Sequence, residues 1–467
     1  MVTMQNLQTF ANQFVESTRD YIFIRPEDSL VIMRPNKTHH LNEVAREMLS
    51  RLYAQPVVDV EALVNDLAGE YGEQPEVLAK DLEKLLQTLN GLLRDDYSQA
   101  TQVRFTPFKT HEIKFPVLSE IALTYRCQHK CPFCYADAPR RGGKVGEMTA
   151  EQVCRIIDCI RDDAHVPTIS FTGGEPTLRV ELPQFVAHAK SRGMRTNLIT
   201  NGVRCADETL VDALAEAGLD SAQVSIEGPT AETHDAVTHT PGSFDKALQG
   251  IRLLRARGIH THTNTTICPE NRECVIGIPD LARELGHEYF SMNMVIRTGG
   301  AAGDDNEVSY SNIGSLVEPI LERARELGLR MVWYSPLPYC LFNPVTIGLG
   351  SNSCAAADGL LSIAPDGQVL PCSSFETGLG NLLTESFDTI WNRRTARYWR
   401  NKEYLPPVCK GCDLERICCG ACPLYWDEQK GFGELPETAT CRMGKLAEMQ
   451  WKLKRRMLGK VKGVNVS

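Results

Sequence analysis

At 467 residues with 42% hydrophobic side chains, the chain has room for one barrel-sized domain and one or two smaller modules. It has no run of eighteen apolar residues, and its amino terminus lacks the basic-then-apolar order of a signal peptide, so no membrane partner is expected and the expected compartment is cytoplasmic. A net charge of -9 argues against a nucleic-acid partner, and 17 cysteines in a thiol-reducing compartment are expected to be metal ligands rather than disulfides.

In chain order, residues 20 to 42 read as short strands, YIFI and then SLVIMR, broken by the turn-prone PED and PNK. Three helical patterns follow. Asn42 caps the first and Asp59 the second, where Val60, Leu63, Val64 and Leu67 recur at i, i+3, i+4 and i+7. The third has Pro75 in its first turn and a leucine stripe from Leu78 to Leu93. The segments YIFIRP, SLVIMRP, HLNEVAREML and DLEKLLQTLNGLL together resemble the PqqD-like, winged-helix-like fold of the elements that bind leader segments of ribosomally made precursor peptides. A DNA-binding winged helix has similar topology, but residues 1 to 96 hold nine Lys or Arg against sixteen Asp or Glu, a balance that repels phosphate. This domain is expected over residues 1–98, with a linker in the polar stretch from Asp95 to Pro107.

From about residue 115 strands alternate with helices: LSEIALTY, PTISFTGG, RTNLITNG, SAQVSIEG, HTHTNTTICP and YFSMNMVI, each trailed by a helical segment. Six such units predict an α/β fold over 113–330, a parallel sheet curled into a partial (β/α)6 TIM-type barrel with its chemistry at the carboxyl ends of the strands. After about residue 335 periodicity fades and cysteine density rises, so a domain over 335–445 is expected to depend on metal clusters. Residues 446–467 form a basic amphipathic helix candidate.

The cysteines carry the chemistry. CQHKCPFC puts Cys127, Cys131 and Cys134 on the loop after the first barrel strand, and three thiolates leave one iron of a 4Fe-4S cluster open. A zinc site would want a fourth Cys or His, and His129 lies on the wrong spacing. This loop, with Phe133 before its last cysteine, resembles the signature of the radical S-adenosylmethionine (SAM) enzymes. FTGGEP, at the end of the second strand, matches that family's GGE motif. The resemblance implies that Gly173, Gly174 and Glu175 hold the amino end of SAM, and that Asn201, Ser225 and Glu227, at the next two strand ends, are candidates for its ribose and carboxylate.

Downstream run Cys354, Gly367 and Cys372, then CKGCDLERICCGAC with Cys409, Cys412, Cys418 and Cys422, and finally Cys441. A zinc ribbon accounts for four of these and strands the rest. The series is similar, position for position, to the SPASM extension of radical SAM maturases, which holds two auxiliary 4Fe-4S clusters, and Cys340 supplies an eighth thiol. By that analogy Cys340, Cys354, Cys372 and Cys422 would hold one cluster and Cys409, Cys412, Cys418 and Cys441 the other. Cys154, Cys159, Cys205, Cys268, Cys274 and Cys419 are left as packing residues.

The resemblances imply a radical SAM/SPASM enzyme with three 4Fe-4S clusters and SAM. It would modify a ribosomal precursor peptide by 5′-deoxyadenosyl radical hydrogen abstraction, forming thioether or carbon–carbon or carbon–oxygen crosslinks. Its electrons would come from a flavodoxin- or ferredoxin-type donor. Two other readings are a sulfatase-type protein maturase and a non-catalytic iron–sulfur carrier or sensor. The carrier would not need GGEP at the mouth of a barrel.

Overall fold

The structure is a computed structural model that describes residues 3–33, 37–93, 113–303 and 308–436. The described residues fall into two compact units, one up to residue 114 and one from residue 115. The expected linker, the 446–467 helix and Cys441 lie outside the described residues.

The first unit begins with a helix absent from the sequence reading, α1 (Met4–Thr18). Its Leu7, Ala11, Phe14 and Val15 are buried, an i, i+4, i+7, i+8 stripe that was open to view in the sequence. Strands β1 (Ile22–Arg25), β2 (Leu30–Met33) and β3 (Lys37–His40) form an antiparallel sheet in the order β1-β2-β3. The central strand buries all four of its residues, whereas β3, all half-buried and polar, carries no apolar signal that would mark it as a strand.

Helices α2 (Glu43–Ala54), α3 (Val60–Tyr71) and α4 (Pro75–Leu93) follow where capping chemistry places them. Asn42 accepts from the Ala45 N–H at 2.8 Å and Asp59 from that of Ala62 at 3.0 Å. Leucines 78, 82, 85, 86, 89 and 92 of α4 close one core with Leu49, Leu52, Val64 and Leu67.

The second unit is built on β4 (Leu118–Ala122), α5 (Ala138–Arg141), α6 (Ala150–Asp162), β5 (Thr168–Thr172), α7 (Leu182–Ser191), β6 (Arg195–Thr200), α8 (Glu208–Glu216) and β7 (Ser221–Ser225). It continues through α9 (Ala231–Thr238), α10 (Ser243–Ala256), β8 (His260–Ile267), α11 (Ile278–Glu284), β9 (Tyr289–Met294), α12 (Ile313–Glu326) and β10 (Arg330–Trp333). Strands β4 to β10 are parallel and lie side by side in chain order. With right-handed crossovers, sequential order keeps every helix on one face, as in a barrel wall and unlike a doubly wound sheet. The six expected β–α units are therefore present, and β10 is a seventh parallel strand.

The other edge of this sheet is lengthened from downstream. β11 (Leu360–Ile363) runs parallel to β4, and β12 (Gln368–Leu370) and β13 (Gly380–Asn381) continue antiparallel. The cysteine-rich region is thereby hydrogen-bonded into the same sheet. After it come α13 (Phe387–Trp391), α14 (Arg394–Arg400), α15 (Glu415–Cys418) and α16 (Pro423–Glu428).

Alternation divides the sheet's two faces. Ile121, Ile169, Phe171, Leu198, Ala222, Val224, Phe290 and Met292 are fully buried in a core with Val153, Ile156 and Ile160 of α6 and Phe185 of α7. The opposite face carries Glu120, Ser170, Asn197, Gln223, His262, Asn264 and Asn293, a polar wall.

Candidate functional site

The loop from β4 to α5 presents Cys127, Cys131 and Cys134, each half-buried and unoxidised. Glycines explain how it is held. A Cβ on Gly173, whose φ is +139°, would come within 2.2 Å of the Thr124 carbonyl oxygen, and one on Gly174 within 2.4 Å of that of Arg126. That close approach lets the Gly174 N–H donate to Thr124 at 2.7 Å and the Glu175 N–H to Arg126 at 2.8 Å. The GGE turn after β5 thus grips the backbone leading into the cysteines.

A second grip comes from the turn after β9, which sequence reasoning missed. Gly300 donates its N–H to the Cys134 carbonyl at 2.9 Å, and a Cβ on Gly299 would meet that same oxygen at 2.4 Å. The signal was a second Gly-Gly pair at a strand's carboxyl end, the counterpart of Gly173-Gly174.

The side chains singled out in the sequence have defined places. Glu175 is buried, and its carboxylate accepts from the Thr177 N–H at 3.0 Å, the Thr200 hydroxyl at 2.7 Å and the Asn201 N–H at 2.8 Å, so it pins the ends of β5 and β6 together. Asn201 accepts from the Gln128 amide at 2.9 Å and directs its Nδ2 to the Cys127 sulfur at 3.7 Å. Ser225 lies half-buried at the end of β7, in register with Asn264. Glu227 is buried, accepts from the Thr266 N–H at 2.9 Å and faces Cys131. Phe133 packs against the main apolar core. His129 turns Nδ1 to the Thr240 hydroxyl at 2.8 Å and meets His234 edge-on.

Electrostatics tie the three thiols together. Burial, then the Glu175 carboxylate and Cys134, push Cys127 up to about 12, and burial, Glu227 and the two other thiols push Cys131 well above its ordinary value. Thiols that oppose one another's ionisation in this way are relieved by a bound cationic centre, the condition under which thiolates become ligands. Burial also pushes the Glu227 carboxyl up to about 8.

Downstream the thiols form two further sets. Cys354, Cys372 and Cys422 form one of them; burial and then Cys354 and Cys422 raise Cys372 well above its ordinary value, and burial and then Cys354 raise Cys422 to about 12. Cys340, Cys409, Cys412 and Cys418 line one recess with Leu414 and Pro338. Burial, then Cys418, Cys340 and Cys412, raise Cys409 to about 12. Cys340, which the analogy groups with Cys354, Cys372 and Cys422, lines this recess in the structure. The segment before Cys340 crosses Cys418, with the Tyr339 N–H donating to its sulfur at 3.4 Å and the Cys418 thiol to the Leu337 carbonyl at 3.5 Å, and this carries Cys340 into the other set.

Among the described residues no three His, Cys, Asp or Glu side chains converge as they would on one ion. All-cysteine sets spread around a common space suit a multi-iron cluster, whose soft irons take thiolates.

The polar wall beside these thiols was also unrecognised from the sequence. Asn197 donates to Ser170 at 3.3 Å and accepts from Ser221 at 2.9 Å; Asn264 donates to Asn293 at 2.9 Å, and Asn293 to Thr266 at 3.1 Å. Glu120 accepts from Ser362 of β11 at 2.7 Å. Only strand register shows that these residues share one face.

Comparison with known proteins matches residues 121–282 to the radical SAM superfamily, residues 354–413 to an iron–sulfur cluster-binding (SPASM) domain and residues 29–92 to coenzyme PQQ synthesis protein D (PqqD). The chain is 30% identical over 321 residues to the PqqA peptide cyclase of Xanthomonas euvesicatoria pv. vesicatoria, covering 66% of this chain and 82% of that protein. It is 26% identical over 314 residues to the AdoMet-dependent heme synthase of Nitratidesulfovibrio vulgaris, covering 64% and 85%. Among solved structures, Streptococcus suis SuiB bound to the precursor peptide SuiA superposes with a TM-score of 0.67 at 16% identity, over 91% of this chain and 99% of that one. Native anSMEcpe with bound AdoMet gives 0.53 at 16% identity, over 74% and 99%.

Proposed function

We propose that this chain, which belongs to the radical SAM superfamily and carries SPASM and PqqD-like domains, modifies a ribosomally synthesised precursor peptide. The observation that carries this reading is the combination in one chain of a PqqD-like unit with three separate cysteine sets. A free small-molecule substrate needs no leader-binding unit, which weighs against the activity named for the heme synthase relatives, and the same unit weighs against a sulfatase-type maturase.

Its cofactors are SAM and 4Fe-4S clusters, which together supply one-electron chemistry able to take hydrogen from an unactivated carbon. Cys127, Cys131 and Cys134 hold the SAM-binding cluster, and the two downstream sets hold auxiliary clusters. Gly173, Gly174, Gly299 and Gly300 keep the first loop seated. Asn201 and Glu227, placed against Cys127 and Cys131, orient that loop from the sides. The polar wall of β5 to β9 provides hydrogen-bonding groups to position a peptide backbone and SAM while the surrounding core excludes water.

In the first unit, the leader pairs as an added strand beside the three-stranded sheet, with its apolar side chains against a neighbouring helix. The reaction runs in the cytoplasm with electrons from a flavodoxin- or ferredoxin-type donor; no helix among the described residues is long and apolar enough to cross a membrane. Anaerobic co-expression with short peptides encoded beside the gene, followed by mass spectrometry, tests the proposal. A mass change in one such peptide that requires Cys127 is expected. SAM cleavage with no peptide modified, but with turnover of a porphyrin precursor, would overturn it.

A further inference from the structure

The polar wall of the large sheet ends in a cationic rim. Arg195, His260, Tyr289 and Arg330 are the first residues of β6, β8, β9 and β10, so they stand at the amino edge of the sheet, the end remote from the cysteine loop. Alternation puts Arg195, His260 and Tyr289 on the face of Asn197, His262 and Asn293, and Arg330 is in register with Tyr289. Between this rim and the carboxyl ends the wall is only half-buried at Asn197, Gln223, Ser225 and Asn293, so the face is open to an occupant.

Hydrogen bonds hold the rim stiffly. Gln223 offers its oxygen to His262 Nε2 at 3.3 Å, so that nitrogen carries the ring's proton and Nδ1 accepts from the Tyr289 hydroxyl at 3.2 Å. The hydroxyl oxygen in turn accepts from His260 Nε2 at 3.1 Å. Burial, then His260, push His262 down to about 3, which keeps it in this neutral state. His260 stacks on Tyr289 with ring centroids 5.6 Å apart, and the Arg330 guanidinium lies over the same ring at 5.1 Å.

The charge of the rim is positive after its acids are counted. Burial and then Tyr334 push Tyr289 up to about 12, with Arg330 and Arg195 opposing the rise and Glu288 adding to it. Burial and then Arg195 lower His260, with Glu288 opposing and Arg255 adding to the effect. Asp220, at the same edge, is held by Lys190 at 2.8 Å, which leaves three arginines against Glu288.

We infer that this rim binds a carboxylate side chain of the precursor peptide, an Asp or Glu about five residues from the carbon that is modified, with Arg195 and Arg330 as specificity-determining residues. Strand geometry sets the spacing. From Tyr289 to Met294, β9 rises by about 3.3 Å per residue, so the rim lies about 17 Å from the reacting end, and an extended peptide along the wall spans that with about five residues. A guanidinium presents paired N–H groups in a fixed plane that match both oxygens of a carboxylate, and a positive recess focuses the attraction. An amide side chain lacks that charge, so the rim discriminates among core sequences.

This inference rests on the proposal that the chain modifies a ribosomal peptide, and the test separates the two. The full-length, reconstituted enzyme is assayed on the precursor found by co-expression and on versions in which each core Asp or Glu is replaced in turn by its amide. One replacement, about five positions from the modified residue, should raise KM roughly tenfold with kcat within about twofold. Arg330→Gln should raise KM on the parent peptide by a similar factor, yet change KM on that amide peptide by less than about threefold, because the pair is already broken there. Equal losses on both peptides, as from a folding defect or from docking of an electron donor at the rim, overturn the inference. So does a precursor in which no amide replacement raises KM. If the parent protein modifies no peptide, the underlying proposal falls and this inference with it.

Discussion

Single residues carry the sharpest tests. Replacing Cys127, Cys131 and Cys134 together by Ala should remove one of three clusters, about four of about twelve irons, and abolish SAM cleavage; iron assay and detection of 5′-deoxyadenosine check both. Because Cys340 lines the recess of Cys409, Cys412 and Cys418, its loss is expected to act there. Cys340→Ala should disturb the cluster of the Cys409 set while the Cys354 set keeps its signature and SAM cleavage persists, and Cys419→Ala should leave iron content unchanged. Glu227 yields a pH prediction. Burial lifts its carboxyl from 4.5 to about 8, so near neutrality the folded chain keeps a proton that the unfolded chain has lost. Stability should therefore fall as pH rises between those two values and level off above the higher one. In Glu227→Gln the melting temperature of the iron-free protein should fall less over that window than in the parent.

At the scale of elements, the structure turns on how strand ends and loops are joined. The GGE turn holds the cysteine loop by backbone contact, and a methyl group at residue 174 has carbonyl oxygens at 2.4 and 2.7 Å where it must sit. Gly174→Ala should push the loop off its seat and cut iron binding at the first set by roughly ten- to a hundredfold, with both auxiliary clusters retained. In the first unit, α1 is tied to the entry of α3 by side chains rather than by packing alone. Asn12 accepts from the Val58 N–H at 2.9 Å and donates to its carbonyl at 3.1 Å, while Gln8 accepts from the Val60 N–H at 2.7 Å. Asn12→Ala leaves the Val58 N–H unpaired, while the Val58 carbonyl keeps the Gln8 amide at 2.6 Å, and should lower stability by about 1–3 kcal/mol, read from the first transition in urea denaturation.

For the whole molecule, the consequence lies in the division of labour between two compact units. Removing residues 1 to 96 takes away the PqqD-like fold and leaves the sheet and all three cysteine sets untouched. The truncated protein should lose modification of the full-length precursor while retaining slow, uncoupled SAM cleavage; unimpaired modification by the truncated enzyme would count for a sulfatase-type maturase. The acidic first unit further favours a leader with basic residues, an effect expected mainly in association rate and weakened by salt.

Local chemistry was legible without any fold. Three thiols within eight residues, caps at Asn42 and Asp59, and six apolar strand runs each state their role through spacing that neighbouring residues alone impose. β3 escaped notice because an edge strand of Lys, Thr and two His shows no apolar alternation, and β10 because the expected barrel was already complete at six units. What the tertiary structure decided was proximity between residues far apart in the chain. It joined β11 to β4, set Gly299 and Gly300 against Cys134, and aligned polar residues from six strands on one face. It also set Cys340 in one recess with Cys409, Cys412 and Cys418. Spacing along the sequence constrains a loop of eight residues tightly, but across the 69 residues from Cys340 to Cys409 it constrains almost nothing, and there only the packed fold selects which thiols meet.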